Sequence, residues 1–136
     1  MIKKRRLLQN LIDNKILIIN DSHSLNALLK LTLEKEGFSV VYIETGLEGI
    51  EEAKTWQYRL ILLDYVLPDI SGLEVCKKLR EEESTKHIPI AFITGKTEEE
   101  ISEKIINAGA DSYIEPPFKG EDFIDRINEL IVYWHR

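Results

Sequence analysis

This sequence predicts an α/β domain built as a five-stranded parallel sheet with helices on both faces. Three observations carry the prediction. Five short β-rich runs begin near residues 15, 38, 60, 88 and 111, and residues at helical spacing follow each one. Successive starts are separated by enough chain for the helical crossover that parallel strands require. The first, third and fourth runs are continuously apolar, the pattern of strands covered on both faces.

Taken in order, Lys15 to Ile19 is the first strand and ends at Asn20-Asp21. Leu25, Leu28, Leu29 and Leu33 stripe a helix that Gly37 stops. Phe38 to Ile43 is the second strand, and Leu47, Ile50 and Ala53 mark a helix entered through Gly46. Leu60 to Leu63 is the third strand, ending at Asp64; Ser71 caps the next helix, striped by Leu73, Cys76 and Leu79. Ile88 to Ile93 is the fourth strand, ending at Thr94-Gly95. Thr97 and Glu100 have capping-box spacing ahead of Ile101, Ile105 and Ala108. Asp111 to Glu115 is the fifth strand, stopped by Pro116-Pro117, and Phe123, Ile127, Leu130 and Trp134 stripe the last helix.

The 136 residues are one domain's worth of chain, 43% hydrophobic and 31% charged, which excludes collagen-like, mucin-like and wholly disordered classes. No apolar run is long enough to span a membrane, and the basic start lacks the apolar core of a secretory signal. The single cysteine, Cys76, cannot form an intrachain disulfide, so a cytoplasmic location is expected. Residues 1–14 carry Lys3, Lys4, Arg5 and Arg6 against Asp13 alone, so the rest is more acidic than the net charge of −6. An acidic body argues against nucleic acid as the ligand. Residues 1–14 are expected to be a basic helical extension, and 15–136 the domain.

Sites in doubly wound sheets lie beyond the carboxyl ends of the strands. That rule selects Asn20-Asp21, Asp64, Thr94-Gly95 and Glu115-Pro116 as one crevice. Two carboxylates and a hydroxyl there are hard oxygen ligands of the kind Mg²⁺ takes. The turn after the first strand has no glycine to admit a pyrophosphate, which argues against a nucleotide or flavin site. His23 reads as exposed, His87 lies in a loop and His135 at the tail, Cys76 reads as a small core residue, and the runs Glu81 to Glu83 and Glu98 to Glu100 as solvated helix ends.

The segments KILIINDS, LILLDYVLPDISGLEVCKKLR, IPIAFITGK and AGADSYIEPPF resemble the response-regulator receiver domains of two-component signalling, over Lys15 to Trp134. The resemblance implies the flavodoxin-like strand order 2-1-3-4-5 and a cis Pro116-Pro117 bond. It implies that Asp64 is the phosphoacceptor, that Asp21, Asp64 and the Val66 backbone carbonyl bind a weakly held Mg²⁺, and that Asn20 holds a metal-bound water. Thr94 matches the hydroxyl that bonds the phosphoryl group, and Tyr113 the aromatic that moves on switching. Implied partners are a histidine kinase or phosphotransfer protein upstream, and downstream either a protein target or an output domain beyond this sequence. The implied chemistry is at most Mg²⁺-dependent self-phosphorylation and slow autodephosphorylation.

Two positions depart from the family pattern. Asn20 stands where the first of two acidic residues is usual. Pro116 stands where a lysine usually pairs with the phosphoryl group, and Lys119 is the nearest cation downstream. The departures leave open a pseudo-receiver, a binding module that works without phosphate.

Overall fold

The computed structural model describes residues 14–95 and 99–134. Within them the strands β1 (Lys15–Ile19), β2 (Ser39–Ile43), β3 (Leu60–Asp64), β4 (Ile90–Ile93) and β5 (Ser112–Ile114) alternate with helices α1 (His23–Lys35), α2 (Gly46–Ala53), α3 (Gly72–Glu81), α4 (Glu99–Asn107) and α5 (Gly120–Trp134). The strands are parallel in the order β2-β1-β3-β4-β5, as expected. The basic segment and Thr97 of the anticipated capping box lie outside the described residues.

Side-chain alternation along the strands builds two cores. Leu17, Ile19, Ile61, Leu63, Ile90 and Phe92 face α2, α3 and α4, meeting Ile50, Val75, Leu79 and Ile105. Ile16, Ile18, Leu60, Leu62, Ala91 and Ile93 face α1 and α5, meeting Leu29, Leu33, Ile127 and Leu130. β1, β3 and β4 are thus covered on both faces, the reason they read as unbroken apolar runs.

Several expectations shift by a residue or two. β2 starts at Ser39, β4 at Ile90 and β5 at Ser112, because Phe38, Ile88 and Asp111 serve as buried or hydrogen-bonded approaches to the ladder. Leu28 and Leu47 were placed on core stripes, yet they are 48% and 52% exposed. Asn26 and Gly46 take buried positions in the same helices.

The ends of the elements explain how the loops are held. Ser22 caps α1 by accepting the Leu25 N–H at 3.3 Å. Gly37 closes the same helix at φ +94°, a backbone conformation disfavoured for side-chain-bearing residues. Ser71 caps α3 as expected, accepting from Glu74 N–H at 3.2 Å. Thr45 makes no side-chain cap for α2. Asp69 supplies it from the β3–α3 loop, accepting from Gly46 N–H and Leu47 N–H at 2.8 Å each. The Leu47 bond in particular holds the Asp69 carboxyl below its ordinary value.

Arg80 organises the opposite end of the sheet. Its Nε donates to Gly109 O at 2.8 Å, one Nη to Ile88 O at 2.6 Å, and the other to Asp111 Oδ2 at 2.8 Å. Asp111 Oδ2 also accepts the Ile90 N–H. One guanidinium therefore ties α3 to the approaches of β4 and β5.

Two stability tests follow. Arg80→Ala strands Asp111 and several carbonyls, and is expected to cost about 3 kcal/mol in chemical denaturation. Asp69→Ala removes the α2 cap at about 1 kcal/mol. Because the Asp69 value is lowered, the difference between parent and variant is full above the ordinary carboxylate range and vanishes as pH falls through the lowered value.

Candidate functional site

Parallel strands deliver their carboxyl ends to one edge, so β1, β3 and β4 place Asp21, Asp64 and Thr94 around one open cleft of about 600 Å³. The register sets this: Ile19 pairs with Leu63, and Asp64 with Ile93, leaving Thr94 one residue beyond the ladder. Asn20, Ser22, Val66 and Gly95 line the same cleft. Among the described residues, nothing other than its chain neighbours lies within 4 Å of a Cβ built at Gly95, beside Thr94.

Asp64 is only partly exposed and Asp21 is exposed. Burial, with the Asp21 charge adding to it, holds the Asp64 carboxyl above its ordinary value; hydrogen bonds from the Val66 and Tyr65 amides act the other way. The Val66 N–H reaches Asp64 Oδ1 at 3.4 Å, and the Val66 side chain is 68% exposed. Gly72 lets α3 begin directly against Asp64: a Cβ there would meet the Asp64 carbonyl oxygen at 2.1 Å. The Gly72 N–H donates to Tyr65 O at 2.9 Å, fixing the loop that follows Asp64.

Among the described residues no three Asp, Glu, His or Cys side chains converge as a metal cage. The donors lining the cleft include the Asp21 and Asp64 carboxylates, and burial first, then the Asp21 charge, raises the Asp64 value. That set fits Mg²⁺, which keeps several waters and takes one or two carboxylates.

Of the remaining candidates, Asn20 stays in the cleft wall and the others fall elsewhere. Asn20 is buried, and its Nδ2 donates to Asn26 Oδ1 at 2.9 Å. Glu115, expected in the crevice, lines a second cleft with Pro117, Lys119 and Tyr113. Pro116 is exposed and does not line the first cleft. The chain turns away after the edge strand β5, and Phe118 becomes the wall on that side. The Pro116-Pro117 bond is cis, as expected. Tyr113 is half-buried against the α2–α4 core, in register with Phe92, and is not part of the cleft wall. No lysine, arginine or histidine lines the cleft among the described residues.

His23 is exposed and pairs with Glu44 at 3.0 Å. Cys76 is buried, and burial pushes its thiol up to about 11, as suits a core residue. Sequence reasoning missed Phe118, Asp69 and Asn26. The clue to Asn26 was its place on the stripe of Leu29 and Leu33; Asp69 gave none, because its partner helix lies 22 residues upstream.

Residues 16–128 match the family described as response regulator receiver domain. Response regulator ArlR of Staphylococcus aureus is 38% identical over 117 residues, which are 86% of this chain and 52% of that protein. The chain thus spans about half the length of the relatives it matches in sequence. A CheY-like response regulator receiver domain protein from Methanospirillum hungatei superposes with a TM-score of 0.81 at 30% identity, over 90% of this chain and 96% of that one. The receiver domain of sensor histidine kinase PA1611 from Pseudomonas aeruginosa, solved with magnesium in its active-site cleft, shares the fold at TM-score 0.78 and 23% identity, over 90% of this chain and 97% of that one. No described helix is long and apolar enough to cross a membrane. With the five-stranded order, the carboxylate cleft and the family match over most of its length, this chain belongs to the response regulator receiver domains of two-component signalling.

Proposed function

We propose that this receiver domain takes a phosphoryl group onto Asp64 from the phosphohistidine of a histidine kinase or phosphotransfer protein. The observation that carries the reading is the convergence of Asp64, Asp21 and Thr94 on one open cleft. An Asp64 oxygen attacks phosphorus in line; the new P–O bond forms as the P–N bond breaks, and the imidazole leaves. Asp21, Asp64 and the Val66 carbonyl hold Mg²⁺, which when bound supplies neutralisation of the crowded oxygens. The Asn20 amide would hold a water of the bound ion, the Thr94 hydroxyl bonds the phosphoryl group, and Tyr113 responds as the switch aromatic. Residues 15–136 form the unit that does this in the cytoplasm, and its signal leaves through a protein target or an attached output domain.

A second reading, a pseudo-receiver that binds partners without phosphate, is favoured by one observation. No cation lines the cleft among the described residues, and Lys119 belongs to the second cleft.

Incubation with a small phosphodonor and Mg²⁺ separates the two. One phosphoryl adduct by intact mass, absent in Asp64→Asn and removed by hydroxylamine, supports the acceptor reading; no adduct on the folded parent overturns it. The same variant has a metal-free signature. A raised Asp64 value means that ionisation costs native stability as pH rises through its titration, so Asp64→Asn is expected to melt above the parent in chelator at neutral pH.

Coupling beyond the acceptor is expected to be weak. A charge-assisted contact to the phosphoryl group is worth about 1.5–3 kcal/mol, so its absence at Pro116 lowers the bias toward the switched state roughly 10- to 150-fold. Amide NMR shifts with beryllofluoride check this. Partial shifts from Thr94 to Tyr113 in the parent, made larger by Pro116→Lys, are the expected result.

A further inference from the structure

Asn26 is fully buried, on the first turn of α1, where a polar side chain must find partners or destabilise the fold. Both ends of its amide are satisfied by one residue. Asn26 Nδ2 donates to the Asn20 backbone carbonyl at 2.7 Å, and Asn26 Oδ1 accepts from Asn20 Nδ2 at 2.9 Å. The carbonyl decides the orientation: it can only accept, so the Asn26 amide must turn its NH₂ there. Its Oδ1 then needs a donor at position 20. Asparagine supplies one, and its own Oδ1 remains for the cleft that Asn20 lines. An aspartate would instead set a carboxylate oxygen against Asn26 Oδ1, two acceptors in a buried space.

We propose that Asn26 is a positioning residue for the metal end of the site: it requires an amide at position 20, so that this position brings an oxygen acceptor and no charge to the cleft. The consequence for the ion rests on the Mg²⁺ reading above. Counted by charge alone, Asn20→Asp adds a third carboxylate to Asp21 and Asp64 and ought to tighten Mg²⁺ binding. With Asn26 in place the added charge is met by an acceptor, and the gain is lost.

The test compares the parent with Asn20→Asp, Asn26→Ser and the double variant. Serine can turn its hydroxyl to donate to a carboxylate. In chelator, Asn20→Asp alone is expected to lower the melting temperature, and the same change is expected to cost much less in the Asn26→Ser background. In Mg²⁺ titrations the double variant is expected to bind about tenfold more tightly than Asn20→Asp alone, the scale on which outer partners tune metal sites. If Asn20→Asp alone does not fold, recovery of folding in the double variant supports the proposal, and failure of both overturns it. Equal effects of Asn20→Asp in the two backgrounds, on melting or on Mg²⁺ affinity, also overturn it. The melts need neither metal nor phosphate. Coupling there without an Asp64 adduct ends the acceptor reading and leaves this one standing; an adduct without coupling does the reverse.

Discussion

Asp21 and Asp64 stand at the carboxyl ends of the neighbouring strands β1 and β3, and the Asp21 charge adds to the burial that disfavours ionisation of Asp64. Holding two carboxylates this close costs free energy, and the fold meets the cost with a rigid frame. The strands beneath are fully buried on both faces, so their ends cannot drift apart without disrupting two cores at once. What remains, among the described residues, is a cleft whose charged lining is acidic. A divalent cation bound there would relieve that charge, and the phosphoryl chemistry proposed for Asp64 depends on such relief.

The loop after Asp64 carries much of the positioning. Gly72 brings the start of α3 against the Asp64 backbone, where no side chain fits. Three residues earlier, Asp69 reaches across to cap α2. One short loop therefore couples β3 to α2 and α3, which lie on the same face of the sheet. Arg80, at the far end of α3, ties the same helix to the approaches of β4 and β5. α3 is thus fastened at both ends, by glycine packing beside Asp64 and by guanidinium bonds at the other end.

The charge balance of the cleft is shifted toward acid and hydroxyl groups, with no described cation in its wall. Proline at position 116 offers neither a charge nor an N–H, and Lys119 faces a different cleft with Glu115 and Tyr113. A ligand moves a conformational equilibrium only by its differential contacts with the two states.

Much of this molecule was legible in its residues. Apolar runs ending in Asn20-Asp21, Asp64 and Thr94 located both the strands and the site, because backbone alternation and parallel direction leave few other arrangements. Helix caps such as Ser71 were legible for the same reason: the partner lies within one turn. Strand ends were less so, since Ile88 and Asp111 look like strand yet act as hydrogen-bonded approaches. Only the tertiary structure decided that Glu115 leaves the crevice, that Phe118 walls it, that Asp69 caps a helix distant in sequence, and that Asn20 is bound to Asn26. Composition and periodicity report what each residue does to its own helix or strand. These four outcomes depend on which side chains meet after the sheet has closed, and hydrogen-bond geometry between elements leaves no periodic trace in the chain.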